Sequence, residues 1–172
     1  GALEGFPTAG PARSYAFHAR SASSNVKDVG AYSPSAGVVE VAILGVNGDG
    51  TPDQDTLDTV STELNDERVR PLTDTVQVVP ASIQTYTIEA TLYVAPEPDQ
   101  EVVKERARQA AQAYADDHHA LGATVARSGV IAALHQSGVE RVDLTSPADD
   151  LVVGEAEAAY LTGITLTVEN AA

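Results

Sequence analysis

The sequence predicts an α+β protein of two small domains, each built from helix–strand–strand units with an antiparallel sheet and helices packed on one face. Three observations carry that expectation. First, 172 residues suffice for one ordinary domain or two small ones, and 43% apolar with 20% charged residues is a globular balance. Second, strand-type alternation and helix-type periodicity occur on both sides of Pro80-Ala81-Ser82, which places a first domain with an N-terminal arm at 1–80 and a second at 81–172. Third, Ala12-Arg13-Ser14, Val26-Lys27-Asp28-Val29 and Ser33-Pro34 recur as Ala126-Arg127-Ser128, Val139-Glu140-Arg141-Val142 and Ser146-Pro147. The recurrence reads either as a duplication or as two ordinary αββ units, set in permuted order in the two halves.

Each element has a local reason. Gly5, Pro7 and Gly10 make residues Gly1 to Gly10 an extended entry arm, and Pro11 fits the first position of a helix over Ala12 to Ser23. Val26 to Tyr32 and Val38 to Leu44 form a hairpin about the turn residues 33–37. Thr51 as cap, Pro52 at the first helical position and Gln54 three residues on start a helix that runs to Asn65. Val76 to Val79 is a short strand. Ile83 to Val94 is the clearest one, with Tyr86, Ile88, Ala90, Leu92 and Val94 alternating against polar neighbours.

Asp99 opens the longest helix, to about His119. Val103, Ala107, Ala110 and Tyr114 repeat at helical spacing, and Glu101, Lys104, Glu105 and Arg108 form opposite-charge pairs on the other side. A further helix is expected from Thr124 to Gln136, closed by Gly138, followed by strands at Val139 to Leu144 and Ala159 to Val168.

Composition removes several functions. A formal charge of −15 repels phosphate, so nucleic acid is not an expected partner. There is no Cys, hence no disulfide framework or thiolate chemistry. No apolar run is long enough to span a membrane, so none is an expected partner. A chain without Met that begins at Gly1 reads as an excised piece of a longer protein.

No motif gathers catalytic or cofactor chemistry. Asn47, Asp49, Thr51 and Asp53 alternate as calcium ligands do, but Pro52 stands where such a loop needs Gly and Asp58 where it needs Glu, which favours a solvated loop and helix start. Asp116-Asp117-His118-His119 carries metal-capable groups, yet adjacent helical histidines diverge, and a polar helix end is the simpler reading. His18 and His135 are isolated. Gly48-Asp49-Gly50 lacks the third glycine of a dinucleotide loop. Glu155 and Glu157 form one of many carboxylate pairs expected among 25 acidic residues. The expected site inventory is therefore no catalytic residue, no metal ligand and no cofactor.

Several stretches nevertheless match a known pattern in order and spacing: Gly5-Phe6-Pro7-Thr8-Ala9-Gly10-Pro11, Tyr15-Ala16-Phe17-His18-Ala19, Val26-Lys27-Asp28-Val29, and Ser33-Pro34 with Gly37-Val38-Val39. Gly48-Asp49-Gly50-Thr51-Pro52, Val69-Arg70-Pro71-Leu72-Thr73-Asp74, Ala90-Thr91-Leu92-Tyr93 and the stretches Val139 to Pro147 and Tyr160 to Val168 continue it. Together they resemble the baseplate J-like family of contractile phage tails, with Arg-Pro-Leu-Thr-Asp the most distinctive piece. The resemblance implies a non-enzymatic component of a baseplate wedge in the virion tail of a phage, prophage or tail-like particle. It would contact other wedge proteins and copies of itself.

Family members are usually longer, with a region upstream of Gly5, so the resemblance also implies that this piece is monomeric alone. Arg70 is a candidate subunit contact, although the favoured reading of Arg70-Pro71 is an inter-element turn in which Pro fixes φ and biases Arg70 towards extended geometry. A tail-tip receptor- or glycan-binding module is the alternative function, and it would need clustered exposed aromatics.

Overall fold

The computed structural model of the chain describes residues 9–71, 73–97 and 99–171. The expected entry arm lies outside the described residues as far as residue 8. Two compact units are present, one of residues 1–83 with 155–158 and one of residues 84–154 with 159–172. In chain order the elements are α1 (Ala9–Ala22), β1 (Val26–Ser35), β2 (Val38–Gly45), α2 (Gln54–Leu64), β3 (Thr75–Pro80), β4 (Ser82–Val94), α3 (Gln100–Asp117), α4 (Arg127–Leu134), β5 (Val139–Ser146) and β6 (Glu157–Asn170). The α+β class with two small sheets is as expected.

The sheets are mixed and not antiparallel. In the first, ordered β1-β2-β3, β1 and β2 form the expected antiparallel hairpin, but β3 runs parallel to β2 from Val38↔Thr75 to Ile43↔Pro80. The cause is α2: a helix between two strands carries the chain back to its starting end, so the next strand runs the same way. In the second sheet, ordered β5-β4-β6, β4 and β5 are antiparallel. Thr162 Oγ1 donates to the Tyr86 carbonyl at 3.2 Å and the Ala171 N–H donates to the Val94 carbonyl at 3.0 Å, so β6 advances along β4 in parallel.

Core packing follows the strand alternation. Val39, Val41 and Ile43 of β2 face Tyr15 and Ala19 of α1 and Val60 and Leu64 of α2. Tyr86, Ile88, Ala90, Leu92 and Val94 of β4 are the buried face that alternation predicts, and they pack in a second core with Val103, Ala107, Ala111 and Ala115 of α3. Each fully buried Leu or Ile contributes about 1.5–3 kcal/mol. The buried stripe of α3 is therefore rotated from the expected one, with Ala111 and Ala115 in place of Ala110 and Tyr114. Four-residue spacing of small side chains lets the helix lie close to β4, and Tyr114 is left half-buried beside it to do other work.

Two helix starts differ from expectation. The cap of α2 is Asp53, whose carboxylate accepts the Thr56 N–H at 2.8 Å, and not Thr51. A carboxylate at the positive end of the helix wins over a hydroxyl. Helix α4 begins at Arg127 and not Thr124, because Val125 is held extended by paired hydrogen bonds with Leu151 of 3.0 and 2.8 Å. Its cap residue, Ala126, offers no side-chain acceptor; instead Tyr114 Oη accepts the Ala126 N–H at 3.0 Å and Asp150 accepts the Arg127 N–H at 2.8 Å. Helix α1 starts before Pro11, which the first turn tolerates since its N–H groups have no intrahelical partner.

Tyr114 thus caps α4 and lies against it. A Cβ at Gly129 would meet the Tyr114 ring at 2.5 Å. Gly129→Ala is expected to cost about 1–3 kcal/mol by overpacking, and Tyr114→Phe about 1 kcal/mol by loss of the cap. Urea unfolding of the two variants checks this, and Gly129→Ala combined with Tyr114→Ala should recover part of the first loss.

Candidate assembly surfaces

Arg70 closes a loop of its own unit. Its backbone N–H donates to the Asp66 carbonyl at 2.9 Å, and its Nη1 donates to the carbonyls of Asp74 at 2.8 Å and Pro71 at 3.3 Å. Asp74 in turn accepts the Tyr15 hydroxyl at 2.7 Å, which ties the loop to α1. Burial, then the Asp74 carboxylate, push the Tyr15 hydroxyl well above the usual phenol range, while the Arg70 charge pulls the other way. Arg70 is half-buried, so this guanidinium is already engaged within the subunit. A similar clamp, which sequence reading passed over, is Arg127: it donates to the Leu144 carbonyl at 3.1 Å and to the Pro147 carbonyl, holding the end of β5.

The other candidate groups are spread over the molecule. Asp49 accepts the Thr51 N–H at 2.8 Å and Asp53 caps α2, so both carboxylates serve the loop backbone. The hydrogen bonds from the Thr56 hydroxyl and N–H hold the Asp53 carboxyl below its ordinary range. His118 stacks on Tyr114 with ring centres 3.9 Å apart and bonds the Tyr114 carbonyl through Nδ1, whereas buried His119 lies against Tyr160. The two imidazoles therefore do diverge. His18 faces Glu63 at 3.3 Å. Among the described residues no three His, Asp or Glu side chains converge on one point. No described helix is long and apolar enough to cross a membrane.

What remains is surface. A shallow depression of about 420 Å³ lies between the end of α1 and α2, lined by Ala22, Asp58, Thr59, Thr62 and Glu63. A second, of about 290 Å³, lies between α3 and β6. At the other side of that sheet Arg141 sits 3.8 Å above the Tyr93 ring, a cation–π contact, and bonds Asp143 at 2.8 Å. Among the described residues Phe17 is the one exposed large aromatic side chain.

Two small mixed-sheet units make up the chain, and among the described residues neither gathers three His, Asp or Glu side chains at one point. Residues 7–80 match the Baseplate J-like central domain and residues 86–167 the Baseplate J-like protein C-terminal domain, and the chain belongs to that family. Over 161 residues it is 38% identical to Baseplate protein J of Escherichia phage P2. That alignment takes in 94% of this chain and 53% of the relative, so the chain spans about half the relative's length.

Three tyrosines give an alkaline signature. Tyr32, hydrogen-bonded to Glu40, and Tyr86, desolvated in the core, are each raised from 10.0 to about 12, and Tyr15 is raised further. Because the folded value exceeds the unfolded one, the contribution of each is complete below pH 10 and is lost as pH rises through 12. Unfolding free energy should therefore be flat towards pH 10 and fall steeply above it. Tyr32→Phe should reduce that slope, and the tyrosinate absorbance of Tyr15, Tyr32 and Tyr86 should rise together with unfolding.

Proposed function

We propose that this chain is part of a structural protein of a phage-type tail baseplate, located in the virion and working by shape and interface complementarity without turnover. The observation that carries the reading is the match of both units, in order, to the central and C-terminal Baseplate J-like domains, with P2 baseplate protein J aligned along nearly the whole chain. The side-chain chemistry supports it: charged and polar groups are spent on caps, strand ends and loops. Its partners are other baseplate wedge proteins and further copies of itself, and it needs no cofactor. Arg70 contributes to such contacts indirectly, by fixing the loop that presents its neighbours. A glycan-binding role has less support, since sugar stacking wants clustered exposed aromatics and Phe17 stands alone among the described residues.

Deletion of the parent gene tests the reading. Negative-stain images of the resulting tails are expected to show absent or disordered baseplates. Intact baseplates on infectious particles would overturn it.

A further inference from the structure

The chain has four asparagines, and three of them are restrained. Asn25 reaches Thr56 Oγ1 through Nδ2 at 3.5 Å and precedes the β-branched Val26. Asn65 donates from Nδ2 to the Ser61 carbonyl at 2.9 Å and precedes Asp66. Asn170 accepts from Gln100 at 2.6 Å and precedes Ala171. Asn47, in the loop between β2 and α2, differs on each count. It is exposed, its side chain bonds to none of the described residues, and the residue after it is Gly48.

Gly48 supplies a second, independent condition. Its N–H has no acceptor among the described residues, a Cβ built on it would meet nothing within 4 Å, and its φ is +58°. The Gly50 N–H donates to the Asn47 carbonyl at 3.1 Å, so residues 47–50 close a turn with Gly48 at the first central position, where a positive φ calls for glycine. The Gly48 nitrogen is therefore neither shielded by a side chain nor engaged by a hydrogen bond. Asp49-Gly50, two residues on, has the same covalent spacing but is locked. Asp49 Oδ1 accepts the Thr51 N–H at 2.8 Å, and the N–H of buried Gly50 is held by the Asn47 carbonyl.

We propose that Asn47-Gly48 is a self-modification site, at which the folded chain deamidates in water. The Gly48 main-chain nitrogen, having given its proton to solvent base, attacks Asn47 Cγ. The N–Cγ bond forms, the Cγ–Nδ2 bond breaks, and ammonia leaves with a proton taken from water, which closes a succinimide ring. Water then opens the ring at Cγ to give aspartate, or at the main-chain carbonyl to give isoaspartate, in which the backbone runs through the former side chain. Nothing is oxidised or reduced. Either product adds a negative charge to a loop that already carries Asp49 and Asp53. The isoaspartyl product also lengthens the backbone of the turn, which moves the position-47 carbonyl away from the Gly50 N–H. That bond and the 2.6 Å bond from the Gly45 N–H to the Gly50 carbonyl hold the loop closed at the end of β2, so the step loosens this corner of the first unit. The reaction is a property of the chain and does not depend on the assembly reading.

Peptide mapping by mass spectrometry, after incubation of the folded chain at mildly alkaline pH, tests this. Asn47 is expected to exchange its amide for a carboxyl, with isoaspartate among the products, while Asn25, Asn65 and Asn170 keep their amides and Asp49 does not isomerise. In the chain unfolded by urea Asp49-Gly50 is expected to isomerise as well, because the hydrogen bonds that lock it are gone. Gly48→Ala, whose methyl meets no atom of the folded chain but shields the nitrogen, is expected to slow loss of the Asn47 amide severalfold. Circular dichroism at the incubation temperature shows whether that variant is folded, and Asn47→Gln, which leaves Gly48 in place, is expected to release almost no ammonia. An Asn47 amide retained in the folded chain while the unfolded chain loses it would overturn the inference. So would equal loss at the other three asparagines, isomerisation of Asp49 in the folded chain as fast as loss at Asn47, or ammonia release undiminished in Asn47→Gln.

Discussion

Each unit depends on a centre strand with one face sealed by helices. In the first, Val41 and Ile43 of β2 are covered by Tyr15 and Ala19 from α1 and by Val60 and Leu64 from α2. In the second, Ile88, Leu92 and Val94 of β4 are covered by α3, whose Ala107, Ala111 and Ala115 are small enough to bring helix and sheet together. A domain of this size has little core to spare, so losing that contact would expose most of the side chains that hold the unit together. Everything else in the unit is arranged to hold the centre strand in place: one edge strand on each side, helices above, and caps that stop the helices at the right point.

That requirement also gives the internal recurrence a structural meaning. Both sheets read, in space, as antiparallel edge, centre, parallel edge, although the chain visits them as β1-β2-β3 in one and β5-β4-β6 in the other. The recurring segments fall on equivalent places, since α1 precedes the antiparallel edge β1 and α4 precedes the antiparallel edge β5. Even the repeated Ser-Pro serines act alike. Ser33 Oγ bonds the Val38 carbonyl of β2 at 2.7 Å, and Ser146 Oγ bonds the Thr87 carbonyl of β4 at 2.9 Å, each tying an edge to its centre strand. The arginines do not: Arg127 clamps two carbonyls, while Arg13 is exposed.

What the sequence made legible was whatever is encoded locally. Alternation identified the buried face of β4 residue by residue, and Asp99 was recognisable as the cap of α3, where it accepts the Glu101 N–H at 2.9 Å. The direction of β3 and β6 was not legible, because a period of two is the same in parallel and antiparallel strands. The start of α4 was hidden for a different reason. Its capping groups come from Tyr114, 12 residues away, and Asp150, 23 residues away, which no local pattern reveals. Candidate chemistry behaved similarly. Rejection of the Asn47 to Asp53 loop as a metal site could be argued from Pro52 alone, but that Asp49 and Asp53 are engaged by backbone N–H groups needed coordinates.

The distribution of charge then becomes intelligible as a choice of where contact is allowed. Acidic residues on most of the surface keep copies apart and favour solubility, and the short or charged edges β1, β3 and β5 refuse stray strands. Strand β6 is charged towards both ends, at Glu157 and Glu169, and its uncharged middle is met by Arg108 of α3, which donates to the Ile164 carbonyl at 3.4 Å. Edges guarded in this way leave association to side-chain shape and charge and not to stray strand pairing, which is what a part needs when it must join an assembly in a single orientation.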